Sequence, residues 1–101
     1  MEYKDRTIDI FGSKWKLKFV DKIDLEDDSN PDGITDANKR LIAISTNQSD
    51  NETIITLLHE LIHAILATGQ YLSSSQNEPM VEFVARSLYS LTKQGLIQWK
   101  F

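Results

Sequence analysis

The sequence predicts an α+β fold, in which a few short strands come first and two longer helices follow. Residues 6–20 alternate between polar and apolar side chains, and residues 39–46, KRLIAIST, are rich in β-branched and apolar residues. Two later segments carry apolar residues at helical spacing. Side chains return to the same face every two residues in a strand and every 3.6 residues in a helix, so the two patterns can be distinguished. Because strands and helices are segregated along the chain, the order is typical of the α+β class.

The first strands are predicted as a β-hairpin within RTIDIFGSKWKLKFV, followed by a third strand at residues 39–46. In KWKLKF three lysines alternate with three apolar residues, which indicates one solvated face and one buried face. Gly12-Ser13 has the composition of a two-residue hairpin turn. The acidic run DKIDLEDDSNPDG, Asp21–Gly33, is interpreted as a solvated loop rather than a calcium site, because its oxygens lack the spacing of a calcium loop.

Two helices are predicted from their start and stop signals. Ser49 with Glu52 three residues later resembles a capping box, and Gly69 is a natural stop. The second helix is expected to start between Ser75 and Pro79 and to end at Gly95. Its buried stripe is expected at Val81, Val84, Leu88 and Leu91. The tail LIQWKF is compatible with a short strand or with a packed extension.

Length and composition limit the class of protein. A chain of 101 residues with 41% hydrophobic residues is expected to form one domain over residues 1–101. The net charge of −4 leaves no broad basic patch for nucleic acid. No signal peptide and no apolar run long enough for a bilayer are recognised, and cysteine is absent. These features favour a cytoplasmic protein that binds neither nucleic acid nor membranes.

The segment TLLHELIHAIL contains both histidines of the chain, His59 and His63. Four residues are close to one helical turn, so both imidazoles project from one face and can bind one zinc ion. Glu60 follows the first histidine and can move a proton between an attacking water and a leaving amine. The alternative is an amphipathic helix with a purely structural role. The apolar surroundings argue against it, because burying these side chains is costly without a partner such as a metal.

A third metal ligand has to be a carboxylate, because a catalytic zinc keeps three protein ligands and the chain has no further histidine and no cysteine. Glu78 and Glu82 lie one turn apart on the second predicted helix. One can bind the metal while the other orients a histidine through its free N–H. Zinc is favoured, although nickel, cobalt or iron also accept two histidines and a carboxylate.

Several segments together resemble a known family. The segments are WKLKFV, GITDANKRLIAI, LLHELIHAI, EPMV and LYSL, in that order along the chain. They resemble the small HExxH metallopeptidases of phages and prophages, grouped with ImmA/IrrE-like and SprT-like proteins. NEPMVE, Asn77–Glu82, is similar to the third-ligand helix of the glutamate-type zincins. That resemblance puts Glu78 at the ligand position and Glu82 at the position that orients a ligand histidine.

The resemblance implies a minimal zincin-like fold, with a small twisted sheet of about three strands packed on the HExxH helix and a second C-terminal helix. It also implies a zinc metallopeptidase whose edge strand, expected at Leu41–Ser45, pairs with a protein or peptide substrate. Glu60 would then be the general base. Zincins commonly use a further side chain to steady the tetrahedral oxyanion, and the resemblance makes Tyr71, Tyr89 and Arg86 the candidates for it. The alternative is a non-catalytic, metal-binding module that serves as a phage accessory or interaction protein. The oligomeric state is left open.

Overall fold

Four strands and three helices make up residues 2–98, which are the part of the chain that the computed structural model describes. In chain order they are β1 (Arg6–Ile10), β2 (Ser13–Val20), β3 (Gly33–Asp36), β4 (Leu41–Ser45), α1 (Asp50–Thr68), α2 (Leu72–Ser75) and α3 (Glu78–Lys93). The strands precede the helices, so the predicted α+β class is confirmed.

The strands form one mixed sheet in the order β1-β2-β4-β3. β1 and β2 are antiparallel, β2 and β4 are parallel, and β3 returns antiparallel on the far side of β4. The sheet has four strands rather than about three, because the short GITD segment forms β3. The expectation that Leu41–Ser45 is an edge strand is wrong: β4 lies inside the sheet, and β3 is the edge on its side.

The β1–β2 hairpin is confirmed, but its turn lies one residue earlier than predicted. Ile10 pairs with Ser13, so the two turn residues are Phe11 and Gly12. Their φ angles are 50° and 86°, as a type I′ turn requires, and the Gly12 N–H donates to Asp9 Oδ1 at 2.7 Å. The predicted alternation in β2 is confirmed, with its lysines exposed and Trp15 buried.

Helix α1 begins and ends where its signals predict. The Ser49 hydroxyl accepts from the Glu52 N–H at 3.2 Å, and Gly69 is the C-cap. The following residue, Gln70, takes the left-handed conformation at φ 66°. The Gln70 N–H donates to Ala67 O and the Tyr71 N–H donates to Leu66 O, which is a Schellman motif.

Helix α3 follows a single helical turn, α2, that was not predicted. Asn77 caps α3 by accepting from the Met80 N–H, and Gly95 follows its end at φ 78°. Leu91 is 37% exposed, so its expected place in the buried stripe is wrong, whereas Val81 is fully buried. Residues 96–98 of the tail form no strand, and residues 99–101 lie outside the described residues.

Helix α1 lies between the sheet and α3, and each side of it has its own apolar cluster. The cluster against the sheet includes Ile42, Ile44 and Leu57, and the smaller one against α3 includes Leu58 and Ala85. Fully burying an isoleucine or leucine stabilises a fold by about 1.5–3 kcal/mol. These clusters therefore fix the part of α1 that carries His59, Glu60 and His63 between β3 and α3.

The acidic run is an exposed connection between β2 and β3. Asp27 accepts hydrogen bonds from the Ser29 N–H and hydroxyl, and Ile23 is the one buried residue of the described segment 21–32. Among residues 2–98, no helix combines the length and the apolar character needed to cross a bilayer.

Candidate metal centre

The two histidines of α1 point to the same place, as their spacing predicts. His59 Nε2 and His63 Nε2 are 3.1 Å apart, and the ring centroids are 4.9 Å apart. The His63 side chain is buried, and that of His59 is mostly so. Two imidazole nitrogens this close can share one cation when both turn their lone pairs towards it.

Glu78 brings a carboxylate to both imidazoles from the first turn of α3. Its Oε2 lies 2.9 Å from His59 Nε2, and its Oε1 lies 2.8 Å from His63 Nε2. The candidate ligand atoms of these three residues all lie within 4.8 Å of one another. Two imidazoles and one carboxylate are a donor set that catalytic zinc sites use, so the residues present fit a divalent metal.

Glu82 approaches the same cluster one turn later but contacts a different atom. Its Oε1 lies 3.3 Å from His59 Nδ1, the nitrogen that faces away from His63. Arg86 Nη2 lies 3.8 Å from Glu82 Oε2 and 3.5 Å from Glu52 Oε2. The two carboxylates, which helical spacing alone does not rank, thus occupy distinct positions, with Glu78 at the Nε2 atoms and Glu82 at Nδ1.

Glu60 is buried beside the histidines, with only 8% of its surface exposed. Its Oε2 is 3.9 Å from His59 Nε2, and its Oε1 accepts a hydrogen bond from Thr35 Oγ1 at 2.9 Å. Burial raises the pKa of the Glu60 carboxyl above its ordinary value, while the hydrogen bond from Thr35 and the two histidines oppose the shift. A buried carboxyl of raised pKa beside a candidate metal site is a candidate for proton transfer.

Thr35 and Ser75 contact the cluster but were missed from the sequence. Ser75 Oγ lies 3.1 Å from His63 Nδ1, on the side of the ring away from His59. Thr35 stands in the GITD segment that the family resemblance used, which was a signal for its region but not for its role. Nothing in the run of three serines distinguishes Ser75 from its neighbours.

The cluster opens into a cavity of about 410 Å³ whose wall includes Asp32, Gly33 and Arg86. Arg86 is therefore the one oxyanion candidate that the structure brings to this cavity. Tyr89 instead donates to Asn51 Oδ1 at 2.6 Å, and Tyr71 is 66% exposed beyond the end of α1. Neither tyrosine lines the cavity.

A second cavity of about 340 Å³ reaches the cluster from the other end of β3. Its wall includes Thr35, Ala37 and Ser75, and it shares Glu60 and His63 with the first cavity, together with Glu78. The metal-binding group therefore stands between two openings that follow the edge strand β3.

An α+β fold that joins a His-His-Glu group to a buried glutamate defines a metallopeptidase-like domain. A family model, Peptidase_M78, described as the IrrE N-terminal-like domain, matches residues 16–86. Because that match covers more than half of the chain, the protein belongs to the IrrE N-terminal-like family. The match runs from β2 into α3 and includes every residue of the candidate centre. Comparisons with curated proteins and with solved structures give no significant match.

Proposed function

We propose that this domain is a zinc-dependent metallopeptidase of the glutamate-zincin type. His59, His63 and Glu78 would hold the metal, and Glu60 would act as general base and acid. The observation that carries the proposal is the contact of both Glu78 oxygens with the two imidazole Nε2 atoms, beside a buried glutamate. Zinc is proposed because its catalytic sites combine this donor set with an open position.

Glu60 performs the proton transfers in this proposal. A zinc ion held here would supply Lewis-acid chemistry, polarising the scissile carbonyl and lowering the pKa of a water molecule. The Glu60 carboxylate takes a proton from the water that attacks the carbonyl carbon. It then gives that proton to the amide nitrogen as the C–N bond breaks, leaving a carboxylic acid and an amine. Thr35 holds one carboxylate oxygen, so the other is directed towards His59.

Glu82 and Arg86 have supporting roles in the proposal. Glu82 accepts from the Nδ1–H of His59 and so orients that imidazole. Arg86 lines the larger cavity, which makes its guanidinium the best placed of the three candidates for steadying an oxyanion. Tyr71 and Tyr89 receive no role.

The substrate is proposed to be a peptide in extended conformation that pairs with β3. This strand has β4 on one side and a free edge on the other, and the two cavities meet along it. An edge strand offers unpaired N–H and C=O groups to an incoming backbone. The resemblance implied that β4 pairs with the substrate. We assign this pairing to β3 instead, because β3 is the edge strand.

Metal content is the first test of the ligand set. Mass spectrometry of protein purified without an affinity tag is expected to find about one zinc per chain in the wild type. His59→Ala and Glu78→Ala should lose the metal, whereas Glu82→Ala, which removes a carboxylate from the same helix, should keep most of it. Loss in Glu82→Ala with retention in Glu78→Ala would reverse the assignment of the third ligand.

Catalysis is tested by Glu60→Gln, which keeps the side-chain shape but removes the base. The variant should retain zinc and lose hydrolysis of a peptide library analysed by mass spectrometry. Cleavage at the wild-type rate would rule out the role of Glu60. If the wild type binds zinc and cleaves no peptide or protein, the non-catalytic metal-binding module is the better description of the domain.

A further inference from the structure

The two histidines of the metal centre are held through their outward-facing ring nitrogens by different chemistry. Glu82, a carboxylate on α3, lies 3.3 Å from His59 Nδ1. Ser75, a hydroxyl on α2, lies 3.1 Å from His63 Nδ1. Groups that contact the free nitrogen of a metal-binding histidine fix its tautomer and ring orientation. The proposed function already gives such a role to Glu82, and it leaves Ser75 without one.

A second contact of Ser75 determines which way its hydroxyl proton points. Ser75 Oγ is also 3.4 Å from the backbone carbonyl oxygen of His63. A carbonyl oxygen can only accept, so the single hydroxyl proton of Ser75 points towards it. Ser75 Oγ must then accept from His63 Nδ1–H. That places the imidazole proton on Nδ1 and leaves the lone pair of Nε2 facing Glu78 and His59.

We propose that Ser75 is a positioning residue that holds His63 in the Nδ1–H tautomer for metal binding. This inference rests on the proposed function, because it assumes that His63 binds the metal through Nε2. Among the described residues Ser75 forms no hydrogen bond with Glu78, the proposed third ligand, and the proposal gives it no contact with the substrate. Its effect passes entirely through the imidazole of His63.

The position of Ser75 in the chain explains why one short segment can order two ligands. The Ser75 N–H donates to Tyr71 O at 2.9 Å and closes the single turn of α2. Two residues later Asn77 caps α3, and Glu78 is the first residue of that helix. Ser75, whose hydroxyl contacts His63 Nδ1, therefore lies only a few residues before Glu78, whose carboxylate contacts His63 Nε2.

The neighbouring serines supply a matched control. Ser73 lies on the same helical turn as Ser75, is exposed, and has no side-chain hydrogen bond among the described residues, whereas Ser75 is half-buried. Ser75→Ala and Ser73→Ala therefore remove the same atom from the same turn. Ser75→Thr restores a hydroxyl at the position that contacts His63.

The test measures the dissociation constant for Zn²⁺ by competition with a chromogenic chelator. Ser75→Ala is expected to bind Zn²⁺ about 10- to 100-fold more weakly than the wild type, as is typical when such a partner is removed. Ser73→Ala should match the wild type, and Ser75→Thr should recover most of the affinity. The absorption spectrum of the Co²⁺-loaded protein should change in Ser75→Ala alone, because the orientation of one ligand has changed.

Three outcomes would overturn the inference, and they can be told apart. If the wild type binds Zn²⁺ and Ser75→Ala binds it equally well, Ser75 does not position His63 and the proposed function is unaffected. If the wild type binds no Zn²⁺, the proposed function itself fails and the inference fails with it. Should Ser75→Ala be unfolded, the wild type still decides through the ¹⁵N resonances of its imidazoles. A zinc-loaded His63 with no proton on Nδ1 would contradict the proposal.

Discussion

At the scale of single residues, the Glu60 carboxylate depends on one hydroxyl. Thr35 Oγ1 lies 2.9 Å from Glu60 Oε1 and 3.0 Å from the Glu60 backbone oxygen. A hydrogen bond to a charged group contributes about 1.5–3 kcal/mol. Thr35→Val keeps the shape and removes the donor, so kcat/KM for a cleaved peptide should fall about 10- to 100-fold.

Two variants control for this effect. Thr35→Ser should keep activity, and Thr7→Val, on the exposed face of β1, should change nothing. Zinc content should be that of the wild type in all three, since among the described residues Thr35 forms no hydrogen bond with a proposed ligand. An active Thr35→Val variant would show that Glu60 is positioned by its packing alone.

Gly33 lets the edge strand β3 lie directly against Glu60, the proposed general base. A Cβ at Gly33 would stand 2.7 Å from Thr56 Cγ2 and 2.8 Å from Glu60 Cγ, closer than ordinary packing allows. Gly33→Ala should therefore lower the free energy of unfolding by about 1–3 kcal/mol, as overpacking does, and should also displace Glu60. Urea denaturation and the peptide assay measure the two effects.

Gly69→Ala is the control for the glycine prediction. A Cβ there meets the Tyr71 ring at 3.2 Å, but that ring is exposed and can move, and φ is an ordinary −80°. Gly69→Ala should therefore lower the free energy of unfolding by less than Gly33→Ala does. A Gly33→Ala variant no less stable than Gly69→Ala would mean that β3 can shift away from α1.

At the scale of elements, the β1–β2 turn carries a residue that does not suit its backbone. Phe11 has φ 50° and is 80% exposed, so it accepts a left-handed conformation without burying its ring. Asparagine tolerates that conformation better, and Asn-Gly is the favoured pair in type I′ turns. Phe11→Asn should raise the free energy of unfolding by about 0.5–1 kcal/mol, measured in urea, while Phe11→Val should lower it. A loss of stability in Phe11→Asn would show that the exposed ring makes a stabilising contact.

The elements that could be predicted are those with local signals. The 3.6-residue period places His59 and His63 together on α1, and the Ser49 and Gly69 caps define its ends. β3 has only four residues, all half-buried, so it shows no alternation to recognise. Its pairing with β4 is a tertiary contact, and this is why the edge of the sheet was assigned to the wrong strand.

At the scale of the whole molecule, the metal would join α1 to α3 and so add to stability. An unfolded chain does not assemble His59, His63 and Glu78, so zinc would bind the folded state preferentially. Free zinc at 100 times its dissociation constant stabilises a fold by about 2.7 kcal/mol. Each kcal/mol shifts Tm by about 4–8 °C in a domain of this size, so chelation should lower Tm by on the order of 10 °C.

Scanning calorimetry with and without a chelator measures this change. His59→Ala should already melt at the lower temperature and should not respond to the chelator. A wild type that melts at the same temperature in both conditions would mean that the cluster makes no stabilising metal site.

The whole site was harder to predict than its motif. HELIH indicates two ligands and a base, and two glutamates on the next helix leave the third ligand open. Thr35 lies 25 residues from Glu60 and Ser75 lies 12 residues from His63, so no local pattern joins either pair. Sequence alone therefore indicates the proposed ligands and the proposed base, and it misses the two hydroxyls that contact them.

The parallel pairing of β2 with β4 has a consequence for chain entropy. Residues 21–40 must close into a large loop, which includes β3, before Val20 can pair with Ser45. Contacts so distant in sequence slow folding, but the entropic cost of a loop grows only with the logarithm of its length, by about 0.6 kcal/mol for each doubling. The exposed stretch before β3 can therefore vary in length at little cost in stability. It ends at Asp32, on the wall of the larger cavity, whose backbone oxygen accepts from the Ser45 N–H at 2.8 Å. An insertion before Asp32 would therefore bring new side chains to the mouth of this cavity and leave that hydrogen bond to β4 in place.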